Sequence, residues 1–198
     1  MQSVIGLSGK IRCGKTTVAE NLQVSRPFRR RAFGDAIKEE VSELFGIPLS
    51  WTYSQEGKAY RIPQLPSDPW KMPRPLMTLG EILQYHGTEF RRAQDPDYWT
   101  KRMQEWAEAH PGEDIIVDDV RFLNEAKWVL SQPGGFLVRI DPYEGWQAPT
   151  ERDPQHLSET ALDNYPGFSL RVTPAYGGLA ALAEQILEAA ALARHRVA

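Results

Sequence analysis

The chain has 198 residues, a hydrophobic fraction of 41%, a charged fraction of 25% and a formal net charge of −3, the profile of a soluble globular protein with room for a good core and an inserted lobe. That balance excludes an overall electrostatic footprint for duplex nucleic acid, while leaving room for a local basic site that takes a small phosphorylated ligand. One cysteine, Cys13, excludes an intramolecular disulfide and fits a reducing compartment, and no apolar run approaches the about 18 residues of a membrane span.

Ser3-Val4-Ile5-Gly6-Leu7 is short and apolar, as a buried first strand should be. Residues 9 to 16 then read Gly-Lys-Ile-Arg-Cys-Gly-Lys-Thr, the phosphate-loop pattern of Gly, four residues and Gly-Lys-Thr. A helical run follows from Thr16 to Leu22. Strand, glycine loop and helix together are what phosphate binding needs. Gly9 and Gly14 let the backbone turn and bring its N–H groups against phosphate oxygens, and the helix start adds a positive dipole end. Lys15 can reach the β and γ phosphates, and the Thr16 hydroxyl can ligate Mg²⁺. The alternative is a glycine-rich turn without a ligand, which the complete strand–loop–helix context disfavours. Cys13 inside the loop reads as a tolerated small residue rather than a redox group.

Further along, a short strand is expected near 31–33 and a helix over 35–45. Residues 46–76 read as irregular, with Pro48, Pro63, Pro66, Pro69, Pro73 and Pro75. A connection this long is either a functional lobe or a loosely ordered insertion. Thr78-Leu79-Gly80-Glu81 is a capping box for a helix to about His86, with Gly87 as its C-cap. Asp95-Pro96 opens a helix running to about Ala109. A buried strand is expected over 113–119, a helix carrying Phe122, Ala126, Val129 and Leu130, and a strand over 134–140. A polar loop over 141–155, a short helix near Ser158 and a strand over 169–172 follow. In the last helix Leu179, Leu182, Ala183, Ile186 and Leu187 form a core-packing stripe. The alternation predicts an α/β domain with a parallel sheet.

Asp118-Asp119-Val120-Arg121 ends a predicted strand, where ligands of open α/β sheets bind. A carboxylate there can hold Mg²⁺ or orient an acceptor oxygen, and Arg121 can neutralise phosphate charge. Both can also serve as helix-capping and surface charges. Gln84, Thr88, Arg91 and Arg92 surround Gly87 and could face a small polar ligand, or form a solvated helix face. Trp99 can stack on a base or fill the core. His86, His110, His156 and His195 lack zinc spacing, and no nucleophile elbow is present.

Taken together, these blocks resemble the deoxynucleoside monophosphate kinases of tailed bacteriophages, in the nucleoside monophosphate kinase branch of phosphate-loop proteins. The blocks are Leu7 to Thr17; Gly34-Asp35-Ala36-Ile37-Lys38; Leu83-Gln84 with Gly87-Thr88 and Asp97-Tyr98-Trp99; Asp119-Val120-Arg121 with Asn124-Glu125; and His156-Leu157-Ser158-Glu159. The resemblance implies a three-layer α/β/α fold with a five-stranded parallel sheet, in one domain over 1–198 with an inserted substrate lobe at 46–76 and a lid loop at 141–155. By it, Gly9, Arg12, Gly14, Lys15, Thr16 and Thr17 hold ATP. Ile37, Lys38, Gln84, Gly87, Thr88, Trp99, Asp119, Arg121 and Glu125 surround the acceptor nucleotide. Lys15, Arg12, Asp119 and Arg121 are the expected catalytic set, Thr16 and Asp119 the Mg²⁺ ligands, and Arg139 and Arg152 the lid arginines. The implied substrates are ATP and a deoxynucleoside monophosphate, with no nucleic acid or membrane partner. The expected protein is a cytoplasmic monomer or homodimer, in the host cytoplasm if phage-encoded. The chain departs from the family in carrying Gly80-Glu81 where an arginine often precedes the Leu-Gln pair; either Arg74 substitutes or phosphate recognition differs. A dephospho-coenzyme A kinase-like enzyme and a phosphate-loop ATPase without an acceptor share the loop but not the Gln84, Gly87, Thr88 and Trp99 block.

Overall fold

The computed structural model describes residues 2–63, 76–147, 155–175 and 178–195. Along the chain run β1 (Val4–Ser8), α1 (Lys15–Ser25), β2 (Arg29–Arg30), α2 (Phe33–Phe45), a 3₁₀ turn (Leu49–Thr52), α3 (Gln55–Ala59), β3 (Arg61–Pro63), β4 (Leu76–Thr78) and α4 (Leu79–Tyr85). A π-helical turn (His86–Phe90) follows, then α5 (Arg91–Gln94), α6 (Tyr98–Glu108), β5 (Ile115–Val120), α7 (Leu123–Ser131), β6 (Phe136–Ile140), α8 (Leu157–Thr160), β7 (Leu170–Val172) and α9 (Leu179–His195). The chain divides into two compact units, one of residues 1–32 with 107–198 and one of residues 33–106.

The first unit is built on a five-stranded sheet of order β2-β5-β1-β6-β7, parallel at every pairing. Parallel sheets carry helices on both faces, so their strands are apolar throughout rather than alternating. β1 follows this rule, with all five residues buried. On one face α1 and α9 pack through Val18, Ala19, Leu22, Leu182, Ala183, Ile186 and Ala190 onto Ile5, Leu7, Ile116 and Val138. The expected stripe of α9 is thus core packing, with Leu179 and Leu187 partly buried at its edge. On the other face α7 comes so close to β1 that a Cβ on Gly6 would stand 2.9 Å from both methyls of Val129. Helices on both faces make the unit a three-layer α/β/α fold.

Several boundaries differ from the sequence expectation. The strand expected at 31–33 is β2 at Arg29–Arg30, because pairing with Ile115 and Ile116 of β5 fixes its register. Phe33 instead opens α2. β5 begins at Ile115 rather than at Glu113, and β6 at Phe136 rather than at Gly134.

In the second unit, the expected capping box is present. Thr78 Oγ1 accepts from the Glu81 N–H at 3.2 Å, and Glu81 Oε2 accepts from the Thr78 N–H at 2.8 Å. The stretch 46–76 is not irregular where it is described. It holds the 3₁₀ turn, α3, and an antiparallel pair of β3 with β4 in which Ile62 faces Met77. Ile62, Met77, Leu79, Ile82 and Val41 form this unit's core. Gly87 is no C-cap. His86, the residue after α4, keeps right-handed helical angles, and the chain continues through the π turn into α5. A π turn frees backbone groups that need partners; here the Trp99 indole N–H donates to the Gly87 carbonyl at 2.8 Å.

Glu40 of α2 ties this unit together. It accepts from Arg91 Nε at 3.0 Å, lies 2.9 Å from His86 Nε2 and takes the Tyr98 hydroxyl. Burial alone would raise its carboxyl pKa, but the bonds from His86 and Tyr98 and the Arg91 charge outweigh it and leave the pKa below the ordinary 4.5. A depressed carboxyl stabilises the folded chain above its unfolded pKa and loses that contribution as the pH falls through its folded pKa. Glu40→Gln is therefore expected to cost about 1–3 kcal/mol at pH 7 and to weaken the loss of stability below about pH 4.5. Denaturant midpoints of both proteins at pH 7 and pH 4 measure this; equal acid sensitivity would remove Glu40 from the account.

Candidate functional site

The phosphate loop leaves the carboxyl end of β1, the central strand of the first unit. Its path needs three residues at positive φ, Gly9 at 156°, Arg12 at 60° and Gly14 at 94°. At Gly9 a Cβ would collide with the Ile140 carbonyl oxygen and stand 2.6 Å from Cys13 Sγ. Arg12 takes the left-handed conformation without glycine's freedom, at a cost of about 1–2 kcal/mol, so the surrounding contacts must hold it there. Cys13 is buried, which fits a packing residue better than a redox group.

α1 begins at Lys15 with Gly14 as N-cap and no side-chain cap. The first-turn N–H groups thus lack intrahelical acceptors and point at the loop. Lys15 is 8% exposed. Its ammonium folds back over its own loop, donating to the Gly9 carbonyl at 2.9 Å and the Lys10 carbonyl at 2.6 Å. Burial is the main cause that lowers its pKa below 10.5, with Arg121 adding to it and Cys13, Glu159 and Asp118 opposing. Arg12, Thr16 and Thr17 are exposed.

Arg121 follows β5. Glu125 fixes its backbone by accepting from the Arg121 N–H at 2.7 Å and the Phe122 N–H at 3.0 Å. Glu125 is 2% exposed and, through these bonds, caps the start of α7 and holds the Arg121 backbone. The Arg121 guanidinium donates from Nη1 to the Ser158 carbonyl at 3.3 Å and to Glu159 Oε1. Glu159 Oε2 in turn accepts from the Ile11 N–H of the phosphate loop at 3.1 Å. Burial would raise the Glu159 pKa, but Arg121, the Ile11 N–H and Lys15 hold it below 4.5, so it stays anionic at neutral pH.

The segment carrying Glu159 grips the loop again through Lys10. Its ammonium donates to the Glu159 carbonyl at 2.7 Å and to Asp163 Oδ2 at 2.6 Å. The other Asp163 oxygen accepts from Arg139 Nη2 at 2.8 Å. Arg139, expected at the head of the lid, is therefore a buried residue of β6, 4% exposed and ion-paired, and it braces the sheet rather than reaching a phosphoryl group. The other expected lid residue, Arg152, and the substitute Arg74 lie outside the described residues. At the near end of the 141–155 loop, the Trp146 indole N–H donates to the Ile11 carbonyl at 3.1 Å.

The two aspartates at the end of β5 are unequal. Asp118 is 6% exposed and bound to Arg30 at 2.6 Å, a pair that ties β2 to β5. Asp119 is half-buried. Asp118→Asn is thus expected to cost about 1–3 kcal/mol of stability without raising the Mg²⁺ demand. On the Mg²⁺ role that the family resemblance implies for Asp119, Asp119→Asn is expected to raise the Mg²⁺ needed for half-maximal turnover and to cut turnover by about 10²-fold. Mg²⁺ titrations beside thermal melts of both variants check the division, and an exchange of the two phenotypes would reverse it.

The remaining acceptor candidates lie in the second unit. Ile37 and Lys38 are on α2, Gln84 on α4, Gly87 and Thr88 on the π turn and Trp99 on α6. Ile37 Cδ1 lies 2.7 Å from where a Cβ of Gly87 would stand, so these two and Trp99 form one packed group. Lys38 donates to Asp35 Oδ1 at 2.9 Å and lies 3.9 Å above the Tyr53 ring, whose hydroxyl shares that Asp35 oxygen. Trp99 is fully buried and edge-on to Tyr98, so it holds the π turn instead of offering a face for base stacking. Gln84 is exposed and Thr88 half-buried.

Lys10, Ile11, Glu159 and Asp163 were not singled out for a role by the sequence. His156-Leu157-Ser158-Glu159 stood out as a block, and its structural meaning is now plain. The His156 ring nitrogen accepts from the Ser158 N–H at 3.2 Å, opening the short α8 that presents Glu159.

A parallel sheet between two helical layers, with a Gly-x₄-Gly-Lys-Thr loop at its central strand, defines a phosphate-loop α/β/α protein. No protein-family model matches the chain. A protein of Acanthamoeba polyphaga mimivirus, provisionally named a deoxynucleotide monophosphate kinase, is 28% identical over 180 residues, covering 84% of this chain and 86% of that protein. Among solved structures, a gluconokinase from Sinorhizobium meliloti 1021 aligns with TM-score 0.45 and 18% identity over 99% of this chain and 95% of that one. A sugar kinase from Janibacter sp. HTCC2649 aligns with TM-score 0.39 and 17% identity over 95% and 91%. Neither superposition is close enough to carry an argument about this chain, and the fold stands on the chain's own topology. Among the described residues no helix is long and apolar enough to cross a membrane.

Proposed function

We propose that the chain is an ATP-dependent kinase that transfers the γ-phosphoryl group of ATP to the 5′-phosphate of a deoxynucleoside monophosphate, giving ADP and a deoxynucleoside diphosphate. The observation that carries this reading is the buried Lys15 folded into a phosphate loop, with Arg121 fixed at its backbone by Glu125 and at its guanidinium by Glu159. Two cations fixed by backbone and carboxylate contacts suit a reaction whose catalysis is positioning and charge stabilisation. The mimivirus relative's name agrees with the acceptor that the Gln84, Gly87 and Thr88 block implies.

The loop N–H groups, Lys15 and Thr17 hold the donor phosphates, and Arg12 lies exposed beside them. The donor set fits Mg²⁺, because the exposed Thr16 hydroxyl and the Asp119 carboxylate are hard oxygen ligands. When bound, the ion neutralises charge on the donor phosphates. Arg121 draws charge from the transferred group. The acceptor phosphate is already an anionic oxygen nucleophile, so no general base is needed. Lys38, Gln84 and Thr88 supply polar contacts to the acceptor, and Ile37, Gly87 and Trp99 give them a packed support. The reaction runs in the cytoplasm, as expected for a chain drawing on soluble nucleotide pools.

A coupled ADP-release assay with Mg·ATP and each deoxy- and ribonucleoside monophosphate in turn tests the proposal. ADP release that depends on a deoxynucleotide is expected. Equal ADP release without any acceptor would replace the kinase with an ATPase, and release dependent only on a sugar acid or dephospho-coenzyme A would replace the acceptor.

A further inference from the structure

The phosphate loop of this chain carries Lys10, Ile11, Arg12 and Cys13 between its two glycines, and Arg12 sits at φ 60°. Such a loop needs support from outside itself. Besides the Trp146 indole on the Ile11 carbonyl, the support comes from one short segment far along the chain. Ile11 is gripped at its N–H by Glu159, 148 residues away, and Lys10 is held at Glu159 and Asp163. The Glu159 carboxylate divides its oxygens, one on the Ile11 N–H and one on Arg121. Its side chain is 4% exposed, so water does not compete for either bond. Among the described residues only Nη1 of Arg121 is engaged, which leaves Nε and Nη2 to serve phosphate oxygens.

We propose that Glu159 is a positioning residue that sets the phosphate loop and Arg121 in one anion-binding geometry, through its two carboxylate oxygens. This rests on the kinase reading above. A glutamine at 159 keeps the size but has one acceptor oxygen, and its amide N–H₂ must face a donor. It can therefore serve the Ile11 N–H or Arg121, not both. Asp163 is the internal comparison, since it holds Lys10 and Arg139 of the same region but does not touch Arg121.

The test is a double-mutant cycle of Glu159→Gln with Arg121→Ala, read by kcat and by the ATP dissociation constant, with Asp163→Asn in parallel. Glu159→Gln is expected to lower kcat about 30-fold in the wild type and less than about threefold in the Arg121→Ala background, because residues acting through one another are not additive. Its ATP affinity is expected to fall about fivefold in both backgrounds, through the loop N–H. Asp163→Asn is expected to lower the melting temperature, with its kcat effect undiminished by Arg121→Ala. Multiplying kcat losses for Glu159→Gln and Arg121→Ala would overturn the proposal, as would an unchanged ATP affinity. Should Glu159→Gln fail to fold, Glu159→Asp keeps the charge on a shorter arm, and the same pattern is expected of it. A wild type that binds ATP but phosphorylates no monophosphate would sink the kinase reading alone, and the ATP affinity of the variant would then judge Glu159.

Discussion

Replacing Lys15 with methionine is expected to cut turnover by about 10³-fold or more while leaving the fold at least as stable. The rate loss follows from the role proposed for Lys15, a buried cation that stabilises charge on the transferred group. The stability follows from the same burial. A lysine whose folded pKa lies below 10.5 is held charged at a cost, so an apolar chain of similar length removes that cost. The two carbonyls it served, of Gly9 and Lys10, belong to a loop with exposed neighbours and can be hydrated. The pH dependence separates this from a general packing effect. The wild type gains stability as the pH rises from the folded Lys15 pKa toward 10.5, because the unfolded chain binds more protons there, and Lys15→Met lacks that gain. Turnover assays with thermal melts between pH 7 and 10 check both halves. Near-normal turnover in Lys15→Met would remove the lysine from the mechanism.

Arg121→Ala is expected to lower turnover by about 10³-fold with the opposite stability signature. Here the cation is paired, and its removal strands the Glu159 carboxylate, whose side chain is 4% exposed. A buried acceptor left without its charged donor costs about 1–3 kcal/mol. The Glu159 pKa then climbs, and the stability that its ionised form contributes above the unfolded pKa shrinks. Lysine at 121 restores the charge but not the planar fork that reaches the Ser158 carbonyl and Glu159 together, so it is expected to recover little of the rate. Full recovery by Arg121→Lys would show that charge alone suffices and that the Glu159 contact has no part in turnover.

What was legible in the sequence is what local pattern encodes. The strand, glycine loop and helix from Val4 to Ser25 follow from a short apolar run, two glycines and a helical stretch adjacent in sequence. The Thr78 capping box and the α9 stripe are likewise local. The elements that were misplaced or escaped notice are set at long range. β2 is two residues long and sits at Arg29–Arg30, short of the expected 31–33, because β5 fixes its register. The π turn at His86–Phe90 depends on Trp99 reaching back to the Gly87 carbonyl, a contact that no helix-stop rule contains, so Gly87 read as a terminus. Prolines in 46–76 masked the β3–β4 pairing, since β3 ends on Pro63 at the edge of a two-stranded sheet. The site shows the same division. The motifs name Lys15, Arg121 and Glu125, but that Glu125 holds the Arg121 backbone and Glu159 its guanidinium is visible only once the loop and strand ends are brought together. Arg139 misled for the converse reason. Its place beside a polar loop suggested a lid, while β6 turns it inward to Asp163.

The most direct test of the central claim is to follow the phosphorus. ATP labelled at the γ position is incubated with Mg²⁺, the protein and a mixture of deoxynucleoside monophosphates, and the products are separated. The account predicts label in the β-phosphate of a deoxynucleoside diphosphate, at a rate that collapses with Lys15→Met. Label appearing only as inorganic phosphate, at a rate indifferent to the monophosphates, would contradict it.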